Sequence, residues 1–387
     1  VTELNLTDPE LLKDPISGYD RARETSPVVR LVTPGFGAMW GITRHADARA
    51  ALTDPRLAPS SESFMRMAVP EHCRKYLRTM QEQDGPEHRR LRGLARPAFT
   101  PRRAEDLRPR IAPLIDRLLD ELPGHAEDGV VDLRRFFAQP LPMDVICELA
   151  GVPAEDRDRW RAHGAVILSG DGRALMAAVP EMIDDAIRAV GDGRPGDDLI
   201  GMLAVAQGDR LSEDELVTLV WHLILAGQVP ANLIANSMAT LLAEPELVAT
   251  LRAEPALLPG AVEELTRWQP PQMFTIPRFA SEEIEVGGVR IPKGEPVTVV
   301  LPAASRDPRA FTDPARLDLR RAEGAHLGYG HGPHFCLGAP LARVQTEMAL
   351  AALLDRFPRM RLAVDPAELP WVPDPSTRRL SSLPVRW

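Results

Sequence analysis

The sequence predicts a mainly α-helical fold with a smaller β-rich lobe, on three observations. Apolar residues recur at helical spacing along most of the chain, the stretch after Arg267 alternates with a two-residue period around glycine turns, and a glycine-rich loop carrying one cysteine leads into a proline-started helix near the end. Taken in order, AMWGITRHADARAALTDP reads as an extended segment turning into a helix. Glu105–Leu122, Leu133–Leu149 and Pro180–Val190 show helical spacing, and Cys147 sits inside the apolar turn MDVICELAG as a core thiol. The pattern from Ser212 to about Leu242 is opened by the capping box Ser212-x-x-Glu215 and would span roughly 45 Å as one helix. In IPRFASEEIEVGGVRIPKGEPVTVVLPAA, Gly287–Gly288 and the Pro-Lys-Gly turn separate short strands. A final helix begins near Ala339–Pro340, where the missing N–H of proline matters least.

Composition bounds the class. The chain has 387 residues, 44% hydrophobic and 26% charged, enough to bury a large core, and no linker divides it, so one domain over residues 1–387 is expected. A net charge of −9 argues against nucleic acid as a partner. The opening VTELNLTDPELLKDP lacks a basic n-region and an apolar h-region, and no uninterrupted apolar run reaches the length of a bilayer. The expectation is an unanchored, cytoplasmic enzyme. Cys73, Cys147 and Cys336 lie far apart, which does not suggest a disulfide framework. Cys73 follows His72 without the paired spacing of a metal site and reads as surface or loop packing.

The most informative segment is LGYGHGPHFCLGAPLAR, from Leu327 to Arg343. Gly328, Gly330, Gly332, Pro333 and Gly338 surround Cys336, so the backbone can curl and approach a large flat group closely. A thiolate beside amides and the positive end of a helix is stabilised there and reads as a ligand. His326, His331, His334 and Cys336 also crowd together, so zinc is a competing ion on the residues alone.

This segment resembles the haem-ligand loop of the cytochrome P-450 superfamily, F-G-x-G-x-H-x-C-x-G, with Tyr329 in place of the leading Phe. The resemblance covers about residues 38–387, is nearest the soluble bacterial members, and implies haem b (iron protoporphyrin IX) between the long central helix and the loop, with Cys336 as the metal ligand and Gly338 beside it. A second motif, E-x-x-R, is matched by Glu264 and Arg267, and the resemblance implies a buried structural cluster with Arg316 as its third member. It also implies propionate partners at His88 and Arg92, which stand at i and i+4, at Arg278, and at His334.

The active-site helix departs from the family. Its A-G-x-D/E-T pattern becomes Ala226, Gly227, Gln228, Val229, Pro230, so the acid and the alcohol that manage protons are a valine and a proline. Proline cannot donate to the carbonyl of Ala226, so a kink is expected there. Three readings compete. Hydroxylation or epoxidation continues with Gln228, Asn232, water or substrate giving the hydrogen bond; or radical C–C or C–N coupling or cyclisation occurs without oxygen insertion; or the chain is a non-catalytic auxiliary protein. The resemblance implies electrons from a ferredoxin and its reductase, a docking face drawing on Arg102, Arg103 and Arg343, and a monomer. It places substrate contacts at Pro59–Gln81, Leu223–Leu233, Gln272–Ile276 and Asp374–Thr377. Met65, Met67, Met273 and Phe274 among these suit a hydrophobic or aromatic secondary metabolite.

Overall fold

The computed structural model describes residues 1–35, 37–60, 68–191, 196–322 and 324–387. They fall into two compact units. The first comprises Val1–Ser60, Ala235–Cys336 and Asp365–Ser381, and holds most of the β-structure. Its six-stranded sheet runs in the order Glu3–Asn5, Val28–Thr33, Gly37–Ile42, Pro296–Val299, Arg278–Ala280, Leu57–Pro59. Val28–Thr33 pairs antiparallel with Gly37–Ile42, and the parallel neighbour Pro296–Val299 extends the sheet from there. Pro59 lies at the edge, where a residue without a ladder donor is tolerated.

The turns follow the sequence closely. Ile284–Val286 and Val289–Ile291 form a hairpin through Gly287 and Gly288, both at positive φ, as a two-residue primed turn requires. Val28, Ile42, Leu52, Ile291, Val299 and Leu301 form one buried core of this unit, and the helix His45–Thr53 contributes to it. A second core gathers Leu6, Leu11, Tyr19, Leu31 and Met273.

The second unit, Ser61–Ile234, Leu337–Val364 and Ser382–Trp387, is helical apart from a small sheet ordered Arg361–Leu362, Pro384–Arg386, Val131–Asp132. The expected Glu105–Leu122 helix is two helices, Pro101–Asp106 and Arg108–Glu121, parted at Leu107. Leu133–Leu149 resolves into a wide turn at Arg134–Ala138 and the helix Pro140–Ala150, because Pro140 and Pro142 fit only a helical first turn. Pro180–Val190 is part of a longer helix, Gly172–Gly191.

Asp144, fully buried, accepts from Arg117 at 2.6 Å and from Arg161 at 2.7 and 2.9 Å, locking three helices together. Cys147 is buried as expected, and its thiol is pushed up to about 12, by burial first and by the charge of Asp144 second. Of surface and loop packing, Cys73 shows the second: it is fully buried within the short turn Glu71–Tyr76.

The long pattern opened by Ser212 is a true capping box, with Glu215 N donating to Ser212 Oγ at 3.2 Å and Ser212 N to Glu215 Oε2 at 2.9 Å. The helix it opens is two segments, Glu213–Ala226 and Pro230–Ala243. Together they are apolar enough, by length and composition, to cross a bilayer, but 78% of the most apolar window is buried inside the molecule. That marks a core helix of a folded chain.

Candidate active site

The break between those two segments is the candidate feature of the helical unit. From Leu216 to Ala239 every residue is buried except Leu225, Ala226, Gly227 and Val229, and Ala226 is exposed. A hydrophobic core helix opens to space at that one place. Hydrogen bonding changes there from four-residue to three-residue closure. Gln228 N donates to Leu225 O at 3.3 Å, Val229 N reaches Ala226 O only at 3.5 Å, and Ala231 N bonds Gln228 O at 3.0 Å. Pro230 has no N–H to give Ala226, and it starts the second segment, so the expected kink is present.

The residues of this junction do different jobs. A Cβ on Gly227 would lie 2.8 Å from Ile146, so glycine is needed for the helix Pro140–Ala150 to pack this closely. Gln228 is completely buried and turned toward the helix Arg157–Ser169, where its Oε1 would stand 2.6 Å from a Cβ on Gly164. Neither polar atom of its carboxamide has a protein partner. The side chains of Val229 and Pro230 offer no proton donor. In the same unit, His88 and Arg92 stand at i and i+4 on the helix Gly85–Ala95, with His88 buried and Arg92 half-buried.

The candidate feature of the first unit is the Cys336 loop. Gly330 N donates to Leu327 O at 2.8 Å, Phe335 N to Gly332 O at 3.0 Å and Cys336 N to Tyr329 O at 2.8 Å, so the loop is closed by its own backbone. Gly330 and Gly332 have φ of +73° and +75°, and a Cβ on Gly332 would lie 2.9 Å from the carbonyl oxygen of Leu52. Arg278 Nη1 donates to that same carbonyl at 2.9 Å. Arg278 and the short turn Gly332–His334 are thereby brought to one end of the helix His45–Thr53. Cys336 is exposed and takes part in no disulfide. Gly338, at the N-cap of the helix Ala339–Arg356, would meet nothing within 4 Å if it carried a Cβ.

These features fit a planar iron porphyrin. The first unit presents the exposed thiol of Cys336 and the side chains of Arg278 and His334, and the second presents open space at Gly338, a backbone opening at Ala226 and the side chains of His88 and Arg92. They do not fit zinc at the loop. His326 is tied to Glu263 at 3.2 Å and accepts from Gly328 N at 3.0 Å, and among the described residues the three histidines and Cys336 do not converge.

The family model for Cytochrome P450 matches residues 194–380. The chain is 40% identical over 396 residues to cytochrome P450 monooxygenase PikC of Streptomyces venezuelae, covering 100% of this chain and 94% of that protein. The chain belongs to the cytochrome P450 family. It is also 40% identical over 381 residues to mycinamicin IV hydroxylase/epoxidase of Micromonospora griseorubida, covering 95% and 94% of the two chains. Among solved structures, the cytochrome P450 enzyme CxnD, described as serving C–S bond formation in chuangxinmycin biosynthesis, matches with a TM-score of 0.86 and 35% identity, covering 100% of this chain and 97% of that one. The fold is therefore the P450 fold, and the chain is a P450 enzyme, which disposes of the auxiliary reading.

Other parts of the P450 pattern are corrected by the structure. Glu264 and Arg267 are buried and paired at 2.6 and 2.8 Å, as expected. The third member is Arg321, whose Nε donates to Glu264 at 3.1 Å; Arg316 is exposed and contributes only its carbonyl oxygen. Gln272 bridges Thr377, so two of the expected substrate segments do meet. Met273, however, is fully buried in a core, and Phe274 packs edge-on against Tyr19 with ring centroids 5.7 Å apart. Met65 and Met67 lie outside the described residues. Arg102 is exposed as a docking residue must be, whereas Arg103 is committed to the backbone carbonyl and carboxylate of Asp197.

Proposed function

We propose that this P450 is a haem-thiolate monooxygenase that hydroxylates or epoxidises a hydrophobic or aromatic secondary metabolite. In this reading the chain acts as one haem b domain and takes its electrons from a ferredoxin and its reductase. The observation that carries the reading is the exposed thiol of Cys336 on a loop whose backbone bonds are otherwise closed. Similarity to mycinamicin IV hydroxylase/epoxidase supports the reaction type. Haem, when bound, supplies reductive dioxygen activation, in which two electrons and two protons accompany one oxygen atom into product and the other into water.

The chain's own residues then have separable roles. Cys336 ligates iron as the thiolate and donates electron density to it. His88, Arg92, Arg278 and His334 neutralise the propionates, whose charges could not be buried alone. Gly338 leaves room for the porphyrin face. Val229 and Pro230 move no proton, and the Gln228 amide is turned toward Gly164. Protons at Ala226 must then come through water or a substrate hydroxyl.

That same junction favours a second reading, radical coupling or cyclisation without oxygen insertion, and the likeness to a C–S bond-forming relative supports it. In coupling, two substrate hydrogens are lost and both atoms of dioxygen leave as water. Two measurements test these readings. The reduced, carbon monoxide-bound protein should show the red-shifted Soret band of thiolate-ligated haem, and Cys336→Ser should abolish it; a parent protein without the band overturns the assignment of Cys336. Turnover under labelled dioxygen should place one labelled oxygen in the product. A product that has lost two hydrogens and carries no label replaces oxygenation with coupling.

A further inference from the structure

Outside the haem site, three metal-ligating side chains meet on one side of the helical unit. His72 Nε2 lies 2.9 Å from Asp184 Oδ1, and Cys73 Sγ lies 3.3 Å from that same nitrogen. All three ligand atoms fall within 4.8 Å of one another. We propose that His72, Cys73 and Asp184 form a binding site for one zinc-class divalent cation that staples the turn Glu71–Tyr76 to the helix Gly172–Gly191.

The geometry selects an ion over the other chemistry this trio could perform. A nucleophilic thiol relay needs the two ring nitrogens of histidine to face different partners, one the thiol and one the carboxylate. Here both partners converge on Nε2, so the imidazole cannot pass a proton from Cys73 to Asp184. Three lone-pair atoms within 4.8 Å of one another are what a cation requires. Bond lengths of about 2.3 Å to sulfur and about 2.0–2.1 Å to nitrogen or oxygen in a tetrahedral site separate sulfur from nitrogen by about 3.5 Å and nitrogen from oxygen by about 3.3 Å. The spacings seen, 3.3 and 2.9 Å, come within a few tenths of an ångström of both.

The donor chemistry and the surroundings point the same way. One sulfur, one imidazole and one carboxylate suit zinc better than magnesium or calcium, which prefer all-oxygen shells. A thiolate and a carboxylate neutralise a dication, so the site carries no net charge where Cys73 is buried. Without an ion, burial first and Asp184 second hold the thiol up, in its protonated form. Binding would release that proton to solvent. The His72 and Asp184 side chains are 57% and 41% exposed, which leaves an entry path and a fourth position for water.

The staple has a place in the fold. The far end of the same turn is already pinned, because the Tyr76 carbonyl accepts from Trp221 Nε1 at 3.0 Å and Lys75 pairs with Asp214 at 2.7 Å. A cation at the near end would fix the turn at both ends against helices that precede the active-site break.

The test uses the haem-loaded protein, stripped with a chelator and titrated with zinc alone against a chromophoric competitor. One zinc per chain is expected, with zinc-edge X-ray absorption showing a single sulfur at about 2.3 Å and the remaining shell at about 2.0–2.1 Å. Asp184→Asn keeps a hydrogen bond to His72 and should weaken binding at least about tenfold. Cys73→Ala should erase the sulfur shell. No stoichiometric uptake overturns the proposal, and so does a sulfur shell that survives in Cys73→Ala, whatever holds Cys336.

Discussion

Glu264 is the side chain whose removal should cost this fold most. Its carboxylate, 3% exposed, accepts from Arg267 Nε and Nη2 at 2.6 and 2.8 Å, from Asp318 N at 2.9 Å and from Arg321 Nε at 3.1 Å. Glu264→Ala strands two guanidinium groups and one backbone N–H together. Arg267 keeps its carbonyl acceptors on Ser305 and Pro314, but these carry no counter-charge. Breaking a buried pair costs about 3–5 kcal/mol, against a total stability of roughly 5–15 kcal/mol for a folded protein. Glu264→Gln retains an acceptor oxygen and the shape, and should fall between parent and alanine. Denaturant unfolding, followed together with the ratio of haem to protein, reads both effects. The family pattern and the structure then diverge: Arg321→Ala should be costly, while Arg316→Ala should stay within about 0.5 kcal/mol of the parent, as an exposed side chain does. A Glu264→Ala protein with an unchanged midpoint and full haem content would refute the reasoning outright.

Three further outcomes are expected. His222 is completely enclosed, and burial lowers it to about 4 from an ordinary 6.5, so between those values the unfolded chain binds a proton that the folded chain does not. Stability is therefore fully present above the ordinary value and falls as the pH drops toward 4. Going from pH 7 to pH 5 should cost the parent about 2 kcal/mol from this group, and His222→Leu should lose that slope in unfolding titrations. Gln228→Leu removes a buried amide without a protein partner, so it should leave stability unchanged or raise it by up to about 3 kcal/mol; a clear loss would show that water or substrate satisfies the amide. Restoring the family pair with Val229→Glu and Pro230→Thr should diminish native product, because it changes geometry and proton supply together, and unchanged turnover and coupling of electrons to product would make the departure neutral.

What was legible in the sequence was local. The Cys336 loop, the Ser212 capping box and the Gly287–Gly288 hairpin are each set by residues a few positions apart, and each formed as read. Misreadings came from distance. Arg321 replaces Arg316 because the chain returns to Glu264 five residues later than the family pattern suggests, and only the folded backbone shows which guanidinium points inward. Met273 looked like a pocket residue by position, yet it fills a core with Leu6, Leu11 and Tyr19. Cys73 and His72 show no metal-like spacing in the sequence because their third partner, Asp184, arrives from a helix 112 residues beyond His72.

The break in the central helix shows how a single sequence signal can understate a structural cause. Proline alone accounts for the missing N–H at residue 230, but it does not hold the preceding turn open. Two flanking contacts do that. Gly227 lets Ile146 approach to a distance no side chain would permit, and Gln228 occupies the space that Gly164 leaves empty on the neighbouring helix. With those residues fixed on both sides, Ala226 is left on the uncovered face, and its carbonyl has only the long contact to Val229 N at 3.5 Å. The opening is thus maintained by close packing behind it, where a core resists small displacements. Proton management could be lost from the side chains at 229 and 230 while the opening itself persisted, because different residues carry the two properties.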